Sequence, residues 1–467
     1  MTMEKNNSFS PQRRKALKLI GAGSLLGGIA PWLLSCGGKK SRAVEQTADD
    51  DRRMTYRINP TTGDRVSLLG FGCMRYPTLP DTDGELDQEA INELIDHALA
   101  NGVNYFDTSP AYCKGQSETA TGKALSRHPR ESYYIATKLS NFAPQTWSRE
   151  QSEQMYHNSF KYLQTDHIDY LLLHSIGQGG MENFRQRYED NGMLDFLISE
   201  RKAGRVRNLG FSYHGDIAVF DYLLQLHDEG KVQWDFVQIQ LNYVDWLHAK
   251  EVNPRNTNGD YLYGELNRRG IPAVIMEPLL GGRLASIPQN LANLLKEQRP
   301  DDSIARWAFR YAGTPEGVLT VLSGMTRMEH LQDNLETYSP LRPINDEEDH
   351  LLQRVATMML QYPMVNCTAC SYCMPCPYGL DIPGIFTHYN KMVNNGDIVT
   401  DKMDPHYARA RREFLVGLDR AVEPRRQPGR CIDCGECVKH CPQSIEIPAE
   451  MLRIHNYTEA LRQNTTA

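Results

Sequence analysis

Between roughly residues 56 and 345, short apolar runs alternate with amphipathic stretches of helical period. The apolar runs are Leu68 to Met74, Val103 to Phe106, Tyr133 to Leu139, Ile168 to Ser175, Val206 to Ser212, Phe236 to Asn242, Ile271 to Glu277 and Val318 to Ser323. Most are continuously hydrophobic, which suits strands buried on both faces of a parallel sheet. The stretch Asp87 to Ala100 places Ala90, Ile91, Leu94, Ile95, Ala98 and Leu99 on one helical face, and Asn101-Gly102 stops it. Arg149 to Leu163, Gly192 to Lys202 and Asp216 to His227 repeat the pattern. Eight strands alternating with helices predict an α/β chain closed into a (β/α)8 TIM barrel. Tyr56 to Val66 reads as a small hairpin turning at Thr62-Gly63-Asp64, and Arg283 to Pro300, without a strand, as a loop or helical insert over the mouth.

Three successive strands end on chemistry. The run before Asp107 delivers that carboxylate at its end, with Tyr112 in the following turn; the next run ends on Lys138 and the one after on His174. Ionisable groups at strand ends are costly inside a barrel and useful at its C-terminal rim, where such folds build their active sites. Asp107, Tyr112, Lys138 and His174 match, in order and setting, the tetrad of the aldo-keto reductase superfamily, which the chain resembles over roughly residues 56 to 345. That resemblance implies reduction of a carbonyl, or oxidation of an alcohol, on a small substrate, a sugar-like one among the candidates. Tyr112 would be the general acid, Lys138 would lower its pKa, Asp107 would hold Lys138 charged, and His174 would orient the carbonyl oxygen. A buried structural ion pair is the plainer reading of Asp107 and Lys138.

The resemblance also implies a nicotinamide dinucleotide, NADP or NAD. Ser212, Gln240 and Asn242 would hold the carboxamide and Tyr243 would stack on the ring. Pro278, Leu279, Gly281 and Arg283, in the loop PLLGGR, would clasp the pyrophosphate, and Gly324, Arg327 and Asn334 would lie at the adenosine end. Gly324 and His330 stand where a Lys and an Arg usually hold the 2'-phosphate, which leaves the choice between NADP and NAD open.

Eight of the eleven cysteines crowd into two C-terminal runs. Cys367, Cys370, Cys373 and Cys376 fall at C-x2-C-x2-C-x2-C, and Cys431, Cys434, Cys437 and Cys441 at C-x2-C-x2-C-x3-C followed by Pro442. Such runs wrap polynuclear centres rather than forming a disulfide framework. The second matches the bacterial ferredoxin signature, whose fourth cysteine serves the other cluster. Two 4Fe-4S clusters are expected, against one cluster with a zinc or an empty site. By the ferredoxin exchange, Cys376 would join Cys431, Cys434 and Cys437, and Cys441 would join Cys367, Cys370 and Cys373. Helix-prone stretches at Pro383 to Val393 and Asp404 to Leu418 make residues 346–467 a small, mainly helical iron-sulfur domain. Cys73 and Cys113, near the barrel mouth, read as quiet thiols or as a redox pair.

Residues 1–36 carry Arg13-Arg14, a Gly-rich apolar run from Leu19 to Leu34, and Cys36. The run is short for a spanning helix, and the segment resembles a twin-arginine export signal. Its ending, Leu33-Leu34-Ser35-Cys36, resembles a lipobox, with ordinary cleavage as the alternative to a lipid anchor. Residues 37–55 read as a flexible tether. Export of folded protein suits a chain whose clusters are assembled before transport, and implies an address in the cell envelope or periplasm. The net charge of -7 gives no footing for nucleic acid. A one-electron redox partner is expected at the clusters. The competing function is an electron carrier or binding protein, with the barrel as a scaffold.

Overall fold

The computed structural model describes residues 53–464. The expected export signal and nearly all of the expected tether fall outside the described residues. Strands β1 (Tyr56–Ile58) and β2 (Arg65–Ser67) form an antiparallel hairpin. Eight parallel strands then close a barrel: β3 (Leu69–Gly72), β4 (Tyr105–Asp107), β5 (Tyr134–Leu139), β6 (Ile168–Ile176), β7 (Val206–Tyr213), β8 (Phe236–Gln240), β9 (Ala273–Met276) and β10 (Val318–Ser323). Ladder pairs such as Phe106 with Ile135 and Lys138 with Leu172 set the register, and β10 pairs with β3 to complete the ring. This is the expected barrel.

Several elements end earlier than their hydrophobicity suggests. The β3 run stops at Gly72 because Cys73–Arg75 winds into a helical turn. The β8 run stops at Gln240 because the Asn242 side chain caps the next turn, its Oδ1 accepting from the amides of Val244 and Asp245. Helix starts follow their capping residues: Asp87, Ser148 and Asp216 accept amide hydrogens in the first turns of Gln88–Ala100, Arg149–Leu163 and Ile217–Asp228. Arg283 to Pro300 contains the helix Gln289–Gln298.

Aromatic residues fill the barrel interior. Tyr105, Tyr170 and Phe236 are fully buried, with the Tyr170 ring 5.0 Å from each of the other two. The hairpin plugs the N-terminal end of the barrel through polar bonds. Asn59 Nδ2 donates to Asn208 Oδ1 at 3.1 Å, and the Tyr170 hydroxyl donates to Asp64 Oδ2 at 2.8 Å. A filled interior and a plugged base leave the C-terminal rim as the end open to ligands.

Helix Asp346–Met359 buries Leu352, Val355, Ala356 and Met359 in the main core, so by packing it continues the barrel past residue 345. The cysteine region follows as three helices, Ile382–Asn395, Tyr407–Ala421 and Ile447–Gln463, around Phe386, Tyr389, Phe414, Leu418, Met451 and Ile454. The first cysteine run lies in the irregular segment before Ile382–Asn395, and the second lies between Tyr407–Ala421 and Ile447–Gln463. Among the described residues no helix is long and apolar enough to cross a membrane.

Candidate active site and cysteine clusters

The four rim residues come together. Lys138, on β5, is fully buried and its Nζ donates to Asp107 Oδ1 at 2.6 Å and to the Thr108 carbonyl at 2.8 Å. The same ammonium lies 4.9 Å from the centroid of the Tyr112 ring. The His174 ring stands edge-on to Tyr112 at 5.9 Å and 4.8 Å from Phe142. Ser140 Oγ, 2.6 Å from His174 Nδ1, and Ser109 Oγ, 3.4 Å away, fix the imidazole. Tyr112 itself sits where the backbone turns sharply, with Cys113 and Lys114 both at positive φ.

Burial dominates the proton affinities of the group. It raises Asp107 and lowers Lys138, each opposed by the other's charge. It holds His174 well below the usual imidazole range, helped by Lys138, Arg187 and His214. It also holds the Tyr112 phenol well above its ordinary range, and the Asp107 charge and Tyr372 push the same way. This reverses the expectation that Lys138 makes Tyr112 more acidic. The ammonium faces the ring and its charge is neutralised by Asp107, so desolvation of the phenolate prevails.

These residues open onto a cleft of about 2330 Å³, lined from the barrel by Asp107, Tyr112, His174, Ser212 and Gln238. Of the expected dinucleotide contacts, Ser212, Pro278, Leu279, Gly281, Gly324 and Asn334 also line it. The others do not. Gln240 Nε2 and Asn242 Nδ2 each donate to Asp245 Oδ2 at 2.6 Å. Tyr243 is fully buried in the core, beside Tyr311 and with its hydroxyl 3.9 Å from Met359 Sδ. Arg283 turns towards Met364, and Arg327 lies on the exposed surface with Nη2 3.2 Å from His330 Nε2. Gln238 is a residue the sequence reading missed: it faces the cleft with a buried Oε1 that has no hydrogen-bond partner. Its position two residues before Gln240 was the available signal, since alternation along a strand puts both on one face.

The far wall of the cleft is the first cysteine loop, with Thr368, Ala369, Cys370, Tyr372 and Met374. Arg75, just after β3, donates to the carbonyls of Thr368 at 2.6 Å and Ala369 at 3.4 Å. A Cβ on Gly281 would lie 2.3 Å from the Thr368 Cβ, so glycine here permits the two loops to touch. Further bonds, from Asn253 Nδ2 to the Pro442 carbonyl and from Asn366 Nδ2 to the Val252 carbonyl, fasten the cysteine region to the barrel.

The eight thiols separate into two sets by mutual influence. Burial first, then neighbouring Cys370, Cys367 and Cys441, push the Cys373 thiol up to about 12. Burial, then Cys431, Cys434 and Cys376, raise Cys437 to about 11. The fourth cysteine of each run thus stands with the other run's three, as the ferredoxin exchange implies. The donor sets suit iron-sulfur clusters: all are sulfur, and Cys367 Sγ accepts the Ala369 amide at 3.3 Å, a bond of the kind that tunes cluster ligands. Among the described residues no three Cys, His, Asp or Glu side chains converge on a single-ion position. Cys370 and Cys441 line the cleft, whereas Cys434 is exposed. Cys73 and Cys113 are free thiols raised by burial, Cys73 to about 12, consistent with the quiet reading.

Comparison with known proteins agrees with this geometry. Residues 68–355 match the aldo/keto reductase family and residues 366–446 match a 4Fe-4S dicluster domain. The chain is 24% identical over 323 residues to L-galactose dehydrogenase of Arabidopsis thaliana, covering 64% of this chain and 92% of that one. It is 26% identical over 310 residues to the NADH-specific methylglyoxal reductase of Escherichia coli, covering 59% and 90%. The holo form of an aldo-keto reductase from Bacillus halodurans shares the fold with a TM-score of 0.51 at 24% identity, over 65% of this chain and 96% of that one. A closed parallel barrel carrying this rim, matched over more than half of the chain, shows that the protein belongs to the aldo/keto reductase family and is an oxidoreductase with a 4Fe-4S dicluster domain behind its barrel.

Proposed function

We propose that the protein interconverts a small carbonyl compound and its alcohol at Tyr112, and that its clusters connect this site to a one-electron partner in the cell envelope. The observation that carries the first half is the Asp107–Lys138 pair beneath the Tyr112 ring, with Asp107, Tyr112 and His174 on one cleft and Lys138 buried behind them. A phenol held protonated by burial releases its proton only to a strongly basic oxygen. The oxygen of a carbonyl being reduced becomes one as charge builds. Neutral His174 polarises that oxygen without competing for the proton. A nicotinamide dinucleotide would supply hydride when bound, with Ser212 and Gln238 holding its carboxamide in place of Gln240 and Asn242. With Gly324 and His330 in the place of the usual clasp, and Arg327 turned to His330, NAD is favoured over NADP. Replacing Tyr112 with Phe keeps the packing and removes the proton, so turnover should fall by about 10^2 or more. Normal turnover by this variant would show that Tyr112 is not the acid.

What supports the second half is the order of the thiols: the set containing Cys370 and Cys441 borders the cleft, and the set containing Cys434 reaches solvent. Hydride carries two electrons and each cluster one, so the pair together matches one turnover. Anaerobic stopped-flow mixing of reduced protein with substrate should oxidise the clusters, seen as a rise in their visible absorbance. Clusters that stay reduced through many turnovers would leave them a structural role. The electron-carrier reading, with the barrel as scaffold, has the exposed second set in its favour and the complete rim against it. The twin arginines and Cys36 support export by a folded-protein route, with the chain lipidated or simply cleaved.

A further inference from the structure

Arg187 is the least explained charge in the cleft. It sits in the turn Arg185–Glu189 after β6, is 3% exposed, and lines the same cleft as Tyr112 and His174. Its neighbours are neutral. Nε donates to Asn141 Oδ1 at 3.2 Å, and Nη2 donates to the His174 carbonyl at 2.6 Å and the Tyr188 hydroxyl at 3.1 Å. The guanidinium lies 5.6 Å from the Phe142 ring, which in turn lies 4.8 Å from His174. Among the described residues it makes no ion pair, although the other fully buried cations do. Lys138 has Asp107, and Arg310 has Glu348 at 2.9 Å. Asp216 and Glu277 line the cleft but do not pair with it. Among the described residues Nη1 makes no hydrogen bond, on a side chain that lines the cleft.

A desolvated cation without a counter-charge is costly, and a guanidinium presents a fork matched to an oxyanion. We propose that Arg187 is a substrate-recognition residue, so that the substrate carries an anionic group, a carboxylate or a phosphate, beside the carbonyl handled by Tyr112 and His174. This rests on the carbonyl chemistry proposed above. Phe142 would separate the two ends, its ring packing between imidazole and guanidinium. A neutral analogue would leave Arg187 uncompensated and bind weakly, which sets specificity by charge rather than by shape.

Two probe pairs test this on the full, cluster-loaded chain. They are 4-carboxybenzaldehyde against its neutral carboxamide, and glyceraldehyde 3-phosphate against glyceraldehyde. Binding is measured calorimetrically on the Tyr112→Phe protein, where turnover does not interfere. At least one charged probe should bind about tenfold or more tighter than its neutral partner, and which pair shows it distinguishes carboxylate from phosphate. Arg187→Met should erase that advantage while leaving the neutral probe's affinity in place, and Arg187→Lys should restore part of it. Three results overturn the proposal: equal weakening of charged and neutral probes in Arg187→Met, a charge preference that survives it, or no binding of either charged probe to the parent protein. Should the charge preference hold while Tyr112→Phe turns over normally, the acid assignment fails and the anion site stands.

Discussion

The barrel and the cysteine region hold their reactive groups in opposite ways. In the barrel, Lys138 and Asp107 are set by strand register, bonded to each other and to the backbone, and surrounded by a core that continues through Phe71, Phe106 and Leu173. In the cysteine region the thiols lie on irregular loops, with Ala369, Ser371, Asp433 and Ser444 at positive φ. Non-glycine residues there are strained by about 1–3 kcal/mol each. The small helical core around Phe386 and Phe414 is what Cys367, Cys373, Cys376, Cys431, Cys437 and Cys441 pack against. One active region is organised by strand register and its own packing, whereas the other gathers its donors on loops around centres that would bind them together. Positive φ is common to both, since Cys113 and Lys114 beside Tyr112 also adopt it. Arg75 joins the two by hydrogen-bonding the strained loop at Thr368 and Ala369.

The sharpest way to test that contrast is to remove the iron. Because metal binding free energy is folding free energy in small cysteine domains, anaerobic chelation should unfold residues 366–446 and leave the barrel intact. Amide exchange resolved along the chain checks this. A cysteine region that keeps its protection without iron would mean that its helices suffice.

The converse perturbation falls inside the barrel. Lys138→Met leaves Asp107 buried without its partner and should destabilise the barrel by about 3–5 kcal/mol, visible as a lower denaturant midpoint. Cluster absorbance should be unaffected at low denaturant. A loss below 1 kcal/mol would mean that water reaches Asp107 and the pair is not sealed.

A smaller effect comes from two histidines on the cleft, His174 and His214. Burial lowers His214 to about 4 and holds His174 well below the ordinary value of 6.5. Both are neutral in the fold and take up a proton on unfolding below pH 6.5, so the unfolded state binds more protons there. Stability from this source is complete above about pH 6.5 and declines as the pH falls towards 4. Melting of the cluster-free protein across that window should show the decline, and His214→Gln should flatten it. An unchanged slope in the variant would assign the decline to His174, which burial also lowers.

The fold was legible in the chain because its signals are local. Continuous apolar runs mark strands buried on both faces, the apolar stripe of Asp87 to Ala100 marks its helix, and the rim tetrad lies where strands end. Cysteine spacing was equally plain, and the exchange of Cys376 and Cys441 was implied by the resemblance of the second run to the ferredoxin signature, with which the mutual influence of the thiols agrees. The dinucleotide contacts were less legible. Gln240, Asn242 and Tyr243 sit at or just beyond a strand end, but a strand end does not say which way a side chain turns. Asp245 draws the two amides away from the cleft, and Tyr311 and Met359, far along the chain, take the ring into the core.

Composition and spacing therefore determined the barrel, the four rim residues and the eight thiols, since each depends on neighbours within a few residues. The tertiary structure decided how they face one another. It set the Thr368 loop against Gly281, placed the Lys138 ammonium over the Tyr112 ring, buried the phenol and so raised its pKa, and left Arg187 without a carboxylate on the cleft wall. The physical reason is range. Hydrogen-bonding patterns and hydrophobic period act between near neighbours, whereas desolvation and charge pairing depend on whatever distant segment folding brings within a few ångströms.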